Sequence, residues 1–122
     1  MESRTARRWR DYQTASGGRP VRDSLMELNR EQRAEVVAAM REVRIEGLRA
    51  ARHLRGDIYE VRADARDLAF RVLFAEEGPR VLLSLEAFPK KTQRTPPARI
   101  ELAERRLADW RSRRTASRRT HK

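Results

Sequence analysis

The sequence predicts an α+β domain in which two N-terminal helices form a hairpin over a small sheet and a further helix follows at the C-terminus. Three observations predict it. Between Gly56 and Pro97, three runs alternate with period two, as strands do: Asp57 to Arg62, Ala69 to Ala75, and Arg80 to Phe88. Ahead of them, apolar residues recur at helical spacing over two stretches divided at Asn29. Behind Pro96-Pro97, Ile100, Ala103, Leu107 and Trp110 form one stripe on a helix running to about Arg113.

Taken in order, Thr5 to Thr14 (TARRWRDYQT) opens the chain as a strand, with Trp9 and Asp11 on one side and Arg8, Arg10 and Tyr12 on the other. Ser16-Gly17-Gly18-Arg19 is a turn, and Pro20 suits the first position of a helix, where its missing N–H costs nothing. Val21, Leu25 and Leu28 follow at helical spacing. A longer helix spans Arg30 to Glu46, with Val36, Val37, Met40 and Val43 inward and Arg30, Glu31, Arg41 and Glu42 outward, and Gly47 stops it. Leu48 to Arg55 links helices to sheet, and His53 within it is read as a packing or surface histidine.

In the sheet, alternation puts Tyr59, Val61, Phe70, Val72, Phe74, Val81, Leu83 and Leu85 on one face. Glu60, Arg62, Arg71, Ser84 and Glu86 fall on the other. One face is then apolar and covered by the helices, and the opposite face is charged at its centre. From Thr115 the chain reads as a disordered basic tail, which gives a single domain over residues 1–114 and a tail over 115–122.

A chain of 122 residues is one domain, burying roughly two thirds of its unfolded surface. The absence of Cys excludes disulfides, thiolate metal sites and a cysteine nucleophile, and with two His neither a metal nor another cofactor is expected. No apolar run approaches a membrane span and no apolar stretch follows the basic N-terminus, so a soluble cytoplasmic protein without a membrane partner is expected. The formal charge of +11 favours a polyanionic partner. Nine basic and three acidic residues lie between Arg99 and Lys122. A mid-strand arginine, Arg71 between Phe70 and Val72, costs desolvation unless it has a partner or faces solvent. The loop Lys90-Lys91-Thr92-Gln93-Arg94 follows the third alternating run, and no acid occurs from Ala87 to Ile100. Arginines beside a lysine loop suit phosphate.

These strings carry a likeness. LRGDIYEVR, FRVLF, LSLEAFPKKTQRTP and IELAERRLADW, with GRPVRDSLMELNREQRAEVVAAM ahead of them, resemble the HigB-like, phage-derived branch of the RelE/ParE toxin superfamily over roughly Trp9 to Arg113. The most specific part is F-x-K-K-T-Q-x-T-P, Phe88 to Pro96, between a strand and a helix. The resemblance implies a helical hairpin packed on a mostly antiparallel sheet. It also implies the toxin of a toxin–antitoxin pair, neutralised by a helix-turn-helix antitoxin, that cleaves mRNA on the translating ribosome without metal. Carried over by position, its basic strand residues are Arg62 and Arg71, and its lysine loop is Lys90 and Lys91 with Thr92 and Gln93. Two positions depart from the pattern: Phe70 stands where many relatives have Tyr, and Glu86-Ala87-Phe88 where they have His-Gly-Phe.

The implied reaction is attack of a ribose 2′-OH on the adjacent phosphate through a phosphorane with added negative charge. Arg71 is expected to meet that charge, its fork holding two phosphate oxygens, with Arg62 sharing the task. For the 2′-OH proton the candidates are Glu86 and, where neighbouring cations depress its pKa, Lys90 or Lys91. The plainer reading of Glu86 and Glu60 is ion pairing with the arginines. Arg55, Thr92, Gln93, Arg94 and Arg99 are expected to bind RNA. The alternatives are a ParE-like toxin that poisons gyrase and a non-catalytic nucleic-acid-binding module.

Overall fold

The structure is a computed structural model and describes residues 7–65 and 67–120. Five strands form one sheet in the order β1-β5-β4-β3-β2. They are β1 (Arg8–Asp11), β2 (Arg52–Arg55), β3 (Ile58–Ala65), β4 (Leu68–Glu77) and β5 (Val81–Pro89). Only β1 runs parallel to its neighbour; the other pairings are antiparallel. Among the described residues there are also three α-helices: α1 (Pro20–Met26), α2 (Arg30–Glu46) and α3 (Pro97–Thr120). The α+β class and the C-terminal helix agree with the sequence, and the period-two runs fall on β3, β4 and β5, with Asp57 and Arg80 lying just ahead of β3 and β5.

Local chemistry explains the helix boundaries. Pro20 occupies the first turn of α1. Asn29 caps α2 by accepting from the Gln32 backbone N–H at 2.8 Å, while the Gln32 side chain accepts from the Asn29 N–H at 3.1 Å. Gly47 closes α2 at a φ of 83°, in the left-handed region that favours glycine. The sequence ends the last helix near Arg113, but α3 continues to Thr120 and takes in most of the segment assigned to a tail. Thr5 and Ala6 of the expected opening strand, and His121 and Lys122, lie outside the described residues. The stretch Leu48 to Arg55, expected as a link, instead makes a 3₁₀ turn (Gly47–Ala50) and the edge strand β2.

The expectation of one apolar and one charged face is corrected. Both faces are apolar over most of their area, because helices cover both. On the first, Val61, Ala63, Phe70, Val72, Phe74, Leu82 and Ala87 pack with Val21, Val36 and Val43 of α1 and α2. On the second, Ile58, Leu73, Ala75, Leu83, Leu85 and Phe88 pack with Ala103 and Leu107 of α3. Leu83 and Leu85 thus face α3, and Ser84, whose hydroxyl donates to the Arg10 carbonyl at 3.2 Å, leaves the predicted charged face.

The cause is a bulge in β5. Leu73 pairs with Glu86 and Phe74 with Ser84, so Leu85 is an extra residue, and a one-residue offset exchanges the faces of everything before it. Val37, expected inward, is 52% exposed, since the buried stripe of α2 is narrower than the periodicity implies.

Candidate active site

Helix α3 leaves the second sheet face open at the end formed by the middle of β3, the start of β4 and the loop after β5. There, Arg62 and Asp64 of β3, Ala69 and Arg71 of β4, and Lys90, Lys91, Thr92 and Gln93 of the loop line a cleft of about 570 Å³. The register explains the meeting of the arginines. Arg62 and Arg71 are direct cross-strand partners in an antiparallel pair, with side chains side by side on one face. Like charges in that position repel, and carboxylates answer them. Arg71 donates from Nη1 to Asp64 Oδ1 at 2.8 Å and to the Phe70 carbonyl at 2.9 Å. Its Nε lies 3.9 Å from Glu60 Oε2, and Arg62 Nε lies 3.4 Å from Glu60 Oε1.

The loop reaches the cleft because both its ends are held. The Lys90 N–H donates to the Ala69 carbonyl at 2.6 Å, continuing the β4–β5 ladder past Pro89. At the far end the buried Thr95 hydroxyl donates to Glu60 Oε2. Between them the Thr92 hydroxyl donates to the Arg94 carbonyl at 2.8 Å, tightening the turn. The Lys90 ammonium is held below the ordinary lysine range, first by burial and then by the Arg71 charge, with Arg62 and Arg52 adding to the effect and Glu60 opposing it.

Of the sequence-predicted residues, Arg62, Arg71, Lys90, Lys91, Thr92 and Gln93 are brought together. The others are not. Glu86 lies on the same face but beneath α3, where it accepts from Arg99 Nη1 at 2.7 Å and Arg106 Nη1 at 3.3 Å. It is 4% exposed and its oxygens are engaged by two guanidiniums and the Ala87 N–H, which sets it apart from the cleft. The pairing reading holds, with α3 rather than the strands supplying the arginines. Arg55 forms a double hydrogen bond with Glu104 at 2.8 and 3.1 Å, fastening β2 to α3. Arg99 lies over the Phe88 ring, 4.7 Å from its centroid, and shares a smaller hollow of about 240 Å³ with Lys90, Lys91, Thr92 and Pro96. Arg94 is exposed on the loop.

Sequence reasoning gave Glu60 only a pairing role and passed over Asp64 and Thr95. The i, i+2, i+4 spacing of Glu60, Arg62 and Asp64 along one strand was the available signal for the acids, since such residues share a face. Nothing local marks Thr95, which acquires its partner only when the loop folds back.

Residues 23–108 match the family described as phage derived protein Gp49-like (DUF891). A Mycobacterium tuberculosis protein of strain CDC 1551 / Oshkosh named "Probable endoribonuclease HigB1" is 33% identical to this chain over 105 residues, 84% of this chain and 83% of its own length. Its counterpart in strain ATCC 25618 / H37Rv carries the same name and matches to the same extent.

Proposed function

Since the chain belongs to the phage-derived Gp49-like family, HigB-like toxins of the RelE/ParE superfamily, we propose that it is a ribosome-associated endoribonuclease that cuts mRNA by 2′-OH attack on the neighbouring phosphate. The observation that carries the proposal is the cleft into which two strand arginines and the lysine loop converge. A phosphate entering it replaces the exposed Asp64 carboxylate at Arg71 Nη1, exchanging one charge-assisted hydrogen bond for another. Arg71 and Arg62 then lie beside the two non-bridging oxygens as negative charge builds on them, which lowers the barrier in proportion to the charge gained.

Lys90 takes the 2′-OH proton as the 2′-oxygen bonds to phosphorus, and the P–O5′ bond breaks to leave a 2′,3′-cyclic phosphate and a 5′-oxygen that takes a proton from water. Its support is the lowered pKa, which raises the fraction of neutral amine near neutrality, and its place beside Arg71. Lys91, Thr92 and Gln93 bind the backbone, with Arg94 and Arg99 extending the basic track. In-line alignment of the 2′-OH supplies a further part of the rate, and the ribosome holds the message in that geometry. The partner that silences such a toxin is a helix-turn-helix antitoxin whose acidic segment covers the cleft by charge complementarity.

Arg71→Ala tests the assignment. In a reconstituted translation reaction with primer-extension mapping, wild-type protein gives discrete cuts in a reporter message, and the variant loses about 10²- to 10³-fold in rate. Full cleavage by the variant overturns the role given to Arg71.

A further inference from the structure

Among the described residues Glu60 is the one charged side chain with no exposure at all. Removing a carboxylate from water costs several kcal/mol unless its partners are well placed. Here they are placed incompletely. Arg62 and Arg71 stand 3.4 and 3.9 Å away, and Glu60 Oε1 and Arg71 Nε each lack a hydrogen-bond partner. An apolar residue would serve the neighbouring core better, so stability alone does not account for a glutamate at this position. What the carboxylate does is join three separate parts of the cleft: β3 through Arg62, β4 through Arg71, and the end of the lysine loop through the Thr95 hydroxyl.

We infer that Glu60 and Thr95 are positioning residues, a buried latch that sets the distance between the strand arginines and the lysine loop. The inference rests on reading the cleft as the RNA-cutting site. The other end of the loop is fixed by a backbone hydrogen bond from Lys90 to Ala69, which survives any side-chain change, so Thr95 is the end that a substitution can free. Freed, the loop retains every cation and loses its placement, and displacements of about 1 Å at a reacting centre can cost roughly 100-fold in rate. Glu60 also supplies the negative charge near Lys90, opposite the positive charges of Arg71, Arg62 and Arg52, with Asp64 and Lys91 lining the same cleft.

Three full-length variants test this. Thr95→Val keeps the shape and removes the donor, Thr95→Ser keeps the donor, and Glu60→Gln keeps an acceptor while removing the charge. Hydrogen exchange of the Arg99 and Ile100 amides, which donate to the Pro96 carbonyl just past Thr95, reads the latch without reference to activity. Thr95→Val is expected to speed their exchange about tenfold or more while β3, β4 and β5 stay protected. Thr95→Ser should restore protection. On the translated message, Thr95→Val should lower kcat about 10- to 100-fold with a smaller change in KM, and Thr95→Ser should recover most of it. Glu60→Gln should keep the loop protected and move the Lys90-dependent limb of the pH–rate profile to lower pH, because the group that raises the Lys90 pKa is gone.

Wild-type loop protection in Thr95→Val, or a Thr95→Ser variant as impaired as the valine, overturns the latch. If Thr95→Val does not fold, a deprotected loop in Thr95→Ser does so instead. Absence of cleavage by the wild-type protein counts against the proposed function, and the exchange measurements then decide the latch by themselves.

Discussion

Lys90 stands where the backbone turns out of the sheet, among cations that would each be better placed beside an anion. Burial and the nearby guanidiniums favour its neutral form, so its pKa is depressed, and a base of this kind gains activity as pH rises through that depressed value. Single-turnover cleavage should therefore rise with pH and level off below the ordinary lysine range. Arg62→Gln removes one depressing charge, so its limb should move to higher pH, opposite in sign to the shift expected for Glu60→Gln. An unmoved limb in both variants would remove Lys90 from the proton-acceptor role. Glu86 behaves differently because its partners belong to α3. Glu86→Gln should leave the cleavage rate of folded protein unchanged and lower stability by about 1–3 kcal/mol, read from thermal or urea unfolding, since two arginines then face a neutral amide.

At the scale of elements, the decisive feature is the β5 bulge. By inserting Leu85 it turns Leu83 and Leu85 to the side of Glu86 and Phe88, toward α3, which adds to the apolar area that holds that helix. Helix α3 then stops short of Arg62 and Arg71, and the cleft is the part of the face it leaves uncovered. Arg55–Glu104, Arg106 to Glu86 and the Leu85 carbonyl, Arg111 to Asp57 and Glu77, and the Tyr12 hydroxyl to Asp109 at 2.6 Å fasten α3 along its length. Leu73, fully buried under α3, measures the strength of this packing. Leu73→Ala should destabilise the protein by about 2–5 kcal/mol in denaturant unfolding, with the first-face core intact. The stripe of Ile100, Ala103, Leu107 and Trp110 was legible from spacing alone, whereas what it packs against was not: strand parity fails silently across a bulge, and no glycine or proline marks this one.

For the molecule as a whole, a net charge of +11 overstates what is free to meet RNA. Arg19, Arg55, Arg106, Arg111 and Arg113 are engaged by acids of the fold, while Lys90 and Lys91 remain around the cleft. Among the described residues no helix is long and apolar enough to cross a membrane. Binding of single-stranded RNA should weaken with salt, and the double variant Lys90→Ala/Lys91→Ala should reduce the slope of log K against log salt by about 1.4, at roughly 0.7 for each phosphate left without its lysine. An unchanged slope would place the loop away from the backbone.

The sequence by itself determined the strand and helix periods, the helix start at Pro20 and the stop at Gly47, and the identity of six side chains that line the cleft, because these depend on neighbours a few residues away or on a likeness carried in contiguous strings. Tertiary structure alone decided which face the β5 residues up to the bulge take, that Glu86 serves α3 rather than the cleft, and that Glu60 meets Thr95 across 35 positions of chain. Register and ion-pair choice are properties of pairings between distant segments, and they exist only once the strands have closed on one another.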